Sequence, residues 1–194
     1  MGHFLRSPGG LVPWLVMAVS VAFAGPQSAA EAQTATAPAL KAAFLYNFAK
    51  FTTWPGDALG PAEPLILCVL NDRAVNDALA SLTKDRSIEG HALVVRATKP
   101  DSPTLGACRI LFVAGLDAPG STALLEAVGR KPMLTVGDAD RFAESGGVAG
   151  FFVEGGTLRF AINLDATQRS GLQLSSKLLS LAKIVKEDRR ALRR

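Results

Sequence analysis

The sequence is poor in the residues that usually carry enzyme chemistry. Its 194 residues include only two histidines, and one of them, His3, lies at the extreme N-terminus. No Gly-x-Ser-x-Gly motif occurs, which excludes the nucleophile elbow of an α/β-hydrolase. A Ser-His-Asp site would have to use His91 alone. The sequence therefore indicates no catalytic residue, and a hydrolase that depends on His91 is only a minor alternative.

Metal and phosphate motifs are missing as well. Neither His-x-x-x-His nor Cys-x-x-Cys spacing occurs, so the usual zinc sites are excluded. Asp138 and Asp140 carry ligand types that suit a hard cation, but their place after a predicted strand favours a turn cap. Residues 146–150 are glycine-rich, yet they lack the Lys-Ser/Thr of a P-loop and precede a strand. We therefore expect no metal and no cofactor.

The N-terminus has the features of a secretory signal peptide. Arg6 precedes an apolar run of 14 residues, from Leu11 to Ala24, which is short for a membrane span. Small-residue sites end at Ala24 and Ala32. We expect residues 1–32 to be the signal peptide and cleavage region, with cleavage after Ala24 or Ala32, and the mature protein to be periplasmic. A retained N-terminal anchor is the alternative.

The positive charge of the chain is concentrated at its C-terminus. The formal net charge is +4, and the last twelve residues hold six basic and two acidic side chains. Residues 25–182 hold 14 basic and 15 acidic residues. We expect residues 187–194 to be a basic, solvated tail. Nucleic acid is not an expected partner, because the protein is expected to be exported.

Between these ends, apolar runs alternate with helical patterns. A helix capped by Asn71 or Asp72 and another opening near Pro119 separate continuous apolar runs. Gly155 and Gly156 join two strands as a β-hairpin. The predicted strands are residues 65–70, 92–97, 109–114, 133–136, 148–154 and 157–163. We expect the α/β class: a single compact domain over residues 33–186, with a mostly parallel sheet of about six strands, a C-terminal β-hairpin and helices on both faces.

Two further helices are predicted at the ends of this domain. The first runs from about Ala37 to Thr53 and ends before Trp54-Pro55. Its apolar side chains recur at helical spacing and form one stripe: Leu40, Phe44, Phe48 and Phe51. The last helix begins at about Ser175 and places four apolar side chains on one side: Leu178, Leu181, Ala182 and Val185.

The two cysteines fall on strands that we expect to be neighbours. Cys68 lies in the first central strand and Cys108 just before the third, and a doubly wound sheet of order 2-1-3 places these strands side by side. An even cysteine count in an exported protein favours a disulfide. Two buried free thiols are the alternative, because adjacent strands do not always have compatible geometry.

Several sequence blocks, in order, resemble the YfiR family of exported bacterial proteins. They are residues 41–55, 64–70, 108–112, 134–138, 142–147, 160–163 and 175–179. The resemblance covers about residues 39–186. Cys68 and Cys108 match the first cysteine pair of the family, which strengthens the disulfide prediction. A second pair is absent from this sequence, which puts redox control through a second bond in doubt.

The resemblance implies a regulator rather than an enzyme. Members of the family restrain an inner-membrane diguanylate cyclase by binding its periplasmic sensor region, and thereby control cyclic di-GMP signalling. They are released by an OmpA-like outer-membrane lipoprotein or by redox change, and they are often dimeric. The alternative from a different class is a periplasmic small-molecule sensor with a crevice near Trp54.

Four residues are candidates for contact with a partner or ligand: Tyr46, Lys50, Trp54 and Asn163. Tyr46 and Lys50 lie on the less apolar face of the first helix, and Trp54 follows its end. A large aromatic side chain rimmed by polar groups is typical of an interaction hot spot. Asn163 ends a strand, where crevices form in such sheets. The structural alternatives are a tryptophan that covers the core and an asparagine that caps a helix.

Overall fold

A computed structural model describes residues 29–188 of the chain. Residues 1–28 of the predicted signal peptide and cleavage region, and residues 189–194 of the predicted tail, lie outside the described residues. None of the helices between residues 29 and 188 combines the length and hydrophobicity needed to cross a bilayer.

Five helices and ten strands make up the described part of the chain. The helices are α1 (Ala29–Lys50), α2 (Arg73–Thr83), α3 (Ala118–Val128), α4 (Leu164–Arg169) and α5 (Ser176–Leu179). The strands are β1 (Thr52–Thr53), β2 (Leu65–Leu70), β3 (Ser87–Ile88), β4 (His91–Thr98), β5 (Ile110–Val113), β6 (Leu134–Gly137), β7 (Ala149–Glu154), β8 (Thr157–Asn163), β9 (Gln173–Leu174) and β10 (Lys183–Val185). A 3₁₀ turn at Leu105–Ala107 precedes β5.

Eight of the strands form one mixed sheet in the order β10-β8-β7-β6-β5-β2-β4-β3. The neighbours from β4 to β7 are all parallel, whereas β7 and β8 form the predicted antiparallel hairpin. Strand β2 lies between β4 and β5, which confirms the predicted 2-1-3 order. The α/β class is confirmed, and β3 and β10 add short edge strands to the predicted six.

The central strands are continuous apolar runs because both faces of the sheet are covered. On one face α1 and α2 pack over alternate residues of β2, including Leu67 and Val69. On the other face α3 packs over Cys68 and Leu70. The apolar side chains of β2 therefore pack into a hydrophobic core on one face of the sheet or the other, as is typical of parallel strands. The prediction of helices on both faces is confirmed.

Helix α1 differs from the prediction at both ends. It begins at Ala29 rather than Ala37, because the alanine-rich sequence before Leu40 has a high helix propensity and carries the helix past Pro38. It ends at Lys50 rather than Thr53, because Thr52 and Thr53 pair with β9.

The buried face of α1 is also wider than the predicted stripe. Phe48 is buried as expected, but Leu40 is 44% exposed, and Leu45 and Ala42 are fully buried instead. Helix α1 packs against α2 as well as against the sheet, so residues beside the aromatic stripe are covered too. The ring of Phe48 lies 5.0 Å from that of Phe160 on β8, in an edge-on arrangement.

The prediction of a long C-terminal helix from about Ser175 is wrong. Helix α5 contains only Ser176–Leu179, and the chain then forms β10, which pairs in parallel with β8. The outer edge of β8 offers unpaired backbone groups, and pairing with them outweighs the helical spacing of the side chains. Leu181, expected on the buried side, is 74% exposed. The hairpin consequently is not the last element of the sheet.

Candidate functional site

Trp54 lies at the amino ends of the central strands. Thr52 and Thr53 pair with Leu174 and Gln173 of β9, so the chain turns away from α1 before it reaches the indole. The Nε1 group of Trp54 donates a hydrogen bond to the carbonyl oxygen of Arg109, at 3.3 Å, and Arg109 immediately precedes β5. Trp54 is half-buried and packs against the main core. It both covers the core and reaches the surface.

A narrow crevice of about 90 Å³ runs beside the indole. Its lining comes from the segment after α1, the start of β2 and the turn between β3 and β4, and includes Trp54, Leu65, Glu89 and His91. Drug-sized ligands occupy pockets of roughly 300–1,000 Å³. The crevice is therefore large enough for a side chain of a partner but small for an aromatic ligand.

The predicted disulfide is present, next in sequence to the residue that accepts the hydrogen bond of Trp54. Cys68 of β2 and Cys108 are bonded, with their Cα atoms 5.8 Å apart. Cys108 is directly followed by Arg109, whose backbone N–H donates to Ile66 of β2 at 2.8 Å. The carbonyl of Arg109 accepts from Leu134 as well as from Trp54. The disulfide and the indole thus hold the same short segment of backbone.

Tyr46 and Lys50 lie on α1, away from the lining of the crevice. The ring of Tyr46 is half-buried, and the guanidinium of Arg86 lies over it, 5.5 Å from the ring centroid. Lys50 is exposed, with Nζ 5.8 Å from the centroid of Phe51. Of the four predicted contact residues, only Trp54 lines the crevice.

Asn163 is fully buried and its amide is used inside the fold. Its Oδ1 accepts from the N–H of Ala166, which caps α4, and its Nδ2 donates to the carbonyl oxygen of Ala143. Its backbone carbonyl accepts from Thr167. The structure therefore gives Asn163 the helix-capping role that was the structural alternative.

The remaining chemical candidates are also placed. The Nδ1 atom of His91 lies 2.8 Å from the carbonyl oxygen of Glu63, so this ring is held by the backbone. Within residues 29–188, no three acidic, histidine or cysteine side chains are arranged to hold a metal ion. Asp138 is not a turn cap as predicted: it forms an ion pair of 2.6 Å with Lys41 of α1.

The packing of Phe142 against two glycines was not predicted from the sequence. The ring of Phe142 is buried and packs directly on the backbone of Gly137 and Gly147, where a Cβ atom would collide with it. From the sequence alone, Gly146 and Gly147 were considered only as part of a glycine-rich run before a strand. The spacing between an aromatic residue and two flanking glycines was the available signal, but nothing in the sequence shows that they meet.

A family model describes these same elements. The model of the YfiR/HmsC-like family matches residues 38–183, from α1 to β10, which is more than half of the chain. The chain belongs to the YfiR/HmsC-like family. The YfiR/HmsC-like proteins are periplasmic regulators rather than enzymes. No curated protein sequence matches the chain. The resemblance inferred from the sequence blocks is therefore confirmed at the level of the family.

Proposed function

We propose that this protein is a periplasmic binding regulator that restrains an inner-membrane diguanylate cyclase through the periplasmic sensor region of that enzyme. The observation that carries the proposal is the family match over residues 38–183. Binding on the periplasmic side would transmit the state of the cell envelope to cyclic di-GMP synthesis in the cytoplasm. The protein itself would not contact nucleotide. An OmpA-like outer-membrane lipoprotein is the proposed releasing partner, and a homodimer is the proposed assembly.

The geometry around Trp54 supports a protein partner. A half-buried indole, fixed by its hydrogen bond to Arg109, presents a rigid aromatic surface with little conformational entropy to lose on binding. Lys50 is exposed at the end of α1, four residues earlier in the chain. We propose Trp54 as the principal contact, with Lys50 and Tyr46 as secondary ones. Asn163 would act only through the position of α4, because its side chain is buried.

The small-molecule alternative receives less support. The crevice beside Trp54 is about 90 Å³, which is well below the usual volume of a ligand pocket. A side chain from a protein partner fits such a volume better than an aromatic metabolite does.

The experiment is a pull-down of the tagged mature protein from detergent-solubilised membranes of the native host, with mass spectrometry of what is captured. Oxidising and reducing arms are run in parallel, because Cys68–Cys108 adjoins the backbone that holds Trp54. We expect capture of a membrane protein that carries a diguanylate cyclase domain. A Trp54→Ala variant should lose the capture, whereas Trp54→Phe should keep most of it.

Two outcomes would count against the proposal. Capture of no cyclase in either arm would remove the assigned partner. Equal capture by the wild type and by Trp54→Ala, with unchanged melting temperatures, would keep the partner but remove Trp54 as the principal contact.

A further inference from the structure

Strand β4 has an open backbone edge along its second half. The strand spans His91–Thr98 and pairs with β2 on one side over residues 93–98. On its other side β3 pairs only with His91 and Ala92. Within the described part of the chain, no strand covers the remainder of this side. Open edges of this length are normally covered or blocked, because they pair readily with other chains.

The direction of the free backbone groups follows from one hydrogen bond. The N–H of Leu93 donates to the carbonyl oxygen of Arg86, so Leu93 directs its backbone groups away from β2. Backbone groups alternate in direction along an extended strand. Val95 and Ala97 therefore direct their N–H and C=O groups to the open side as well. Together they offer two donors and two acceptors to an incoming strand.

Two exposed basic side chains flank this edge, and one exposed carboxylate, Asp101, lines the cleft next to it. Arg96 and Lys99 are both exposed, and neither forms an ion pair with another residue in the range 29–188. A cleft of about 410 Å³ is lined by Ala97, Thr98 and residues of the loop at 99–103.

The charge pattern argues against a second copy of this chain as the occupant. Two copies could pair their β4 edges as antiparallel strands related by a two-fold axis. If all the outward N–H and C=O groups of Val95 and Ala97 were used, Val95 of each copy would lie opposite Ala97 of the other. Arg96 would then face Arg96 of the second copy directly across the strands. Like charges in that position are destabilising. A segment with a carboxylate opposite Arg96 has the complementary charge.

We infer that the edge of β4 at Val95–Ala97 binds an extended, acidic segment of a partner protein by adding it to the sheet as a further strand. This inference rests on the proposed function for the identity of the partner, which would be the periplasmic region of the cyclase. Main-chain hydrogen bonds supply affinity in this binding mode, and side chains such as Arg96 supply specificity.

The test measures the Kd between the purified protein and the purified periplasmic region of the captured cyclase. Ala97→Pro removes one outward N–H and blocks close approach, yet proline is tolerated at a strand edge that faces solvent. Ala97→Thr keeps the N–H and is the matched control. Arg96→Glu reverses the proposed ion pair, and Arg130→Glu makes the same charge change at an exposed site after α3.

We expect Ala97→Pro and Arg96→Glu each to raise the Kd by at least about tenfold, and the two controls to stay within about twofold of wild type. Melting temperatures show whether Ala97→Pro is folded, and Arg96→Glu tests the same edge without a backbone change. Wild-type affinity in both test variants would overturn the inference while leaving the proposed function in place.

A second arm needs no cyclase, so it separates failure of the inference from failure of the proposed function. The probe is a synthetic peptide of alternating valine and glutamate, titrated into the wild-type protein. We expect slower hydrogen exchange at the amides of Val95 and Ala97, and no change at exposed amides of α3. Unchanged hydrogen exchange at Val95 and Ala97 at the highest peptide concentration tested would overturn the inference, even if the cyclase is captured.

Discussion

The indole of Trp54 and the carbonyl of Arg109 are joined by a hydrogen bond of 3.3 Å, one residue away from the disulfide at Cys108. This contact connects the segment after α1 to the amino end of β5. The side chain of Trp54 and the disulfide therefore both hold the backbone at Cys108 and Arg109. The stability of that stretch should therefore depend on the disulfide.

Removal of the disulfide should lower the free energy of unfolding substantially. The bond closes a loop with a sequence separation of 40 residues, and the chain-entropy model assigns such a loop about 4 kcal/mol. The Cys68→Ser/Cys108→Ser variant is compared with the oxidised wild type by urea titration. Tryptophan fluorescence is the readout, since Trp14 lies in the predicted signal peptide and Trp54 is then the single tryptophan. A loss below about 1 kcal/mol would contradict this prediction.

Substitution of Gly137 by alanine should destabilise the core on the α3 face of the sheet. A Cβ atom at Gly137 would overlap the ring of Phe142, which is buried in the core on that face. Overpacking of this kind costs about 1–3 kcal/mol. Gly56→Ala is the control, because no atom lies within 4 Å of its added Cβ. Equal melting temperatures for the two variants would show that the ring can move aside.

The ion pair between Lys41 and Asp138 should contribute more than a surface pair. Both side chains are mostly buried, at 19% and 25% exposure, and Nζ also lies 5.5 Å from the centroid of Phe112. A double-mutant cycle with Lys41→Met and Asp138→Asn should give a coupling energy of about 1–2 kcal/mol.

The matched control for that cycle is the exposed pair Arg73–Asp77 on α2, whose side chains are 94% and 64% exposed. Its coupling should be about 0.3–0.5 kcal/mol. Comparable coupling energies in the two cycles would mean that burial does not strengthen the Lys41 pair.

Replacement of Asn163 by alanine should act on stability through two lost hydrogen bonds. The variant loses the cap of α4 and leaves the carbonyl of Ala143 without its side-chain donor in a buried site. We expect a loss of about 2–3 kcal/mol by urea titration. Ser175→Ala removes the more exposed cap of α5, where the bond is longer at 3.3 Å, and should cost less than half as much. The reverse order would contradict the assignment of Asn163 as a structural residue.

The core of the fold was predictable from sequence because each central strand is a distinct apolar run. Residues 65–70 match β2 at both ends, and the glycine pair at residues 155 and 156 marks the hairpin turn. The neighbouring positions of β2 and β5 followed from the doubly wound pattern, and with them the disulfide.

The edges and the ends of the fold were not predictable in the same way. The apolar residues around β10 fit a helical period, but Lys183–Val185 meets the free edge of β8, and only the assembled sheet supplies that edge. Lys41 contacts Asp138, and Phe142 contacts Gly137. Nothing in the sequence around either residue of these two pairs indicates that they meet. For the candidate site, Trp54 was identified as a large aromatic side chain directly after the end of α1, whereas the burial of Asn163 depends on where α4 packs.

The most direct test of the proposed function is the rate of cyclic di-GMP synthesis by the captured cyclase in inverted membrane vesicles that are loaded with the purified protein. The lumen of such vesicles corresponds to the periplasm, so the protein meets only the sensor region while the catalytic domain faces the assay medium. We predict a rate that falls in a saturable way as the loaded protein increases, and that is restored when Trp54→Ala is loaded instead. A rate that is independent of the wild-type protein, in vesicles where binding is demonstrated, would contradict the account.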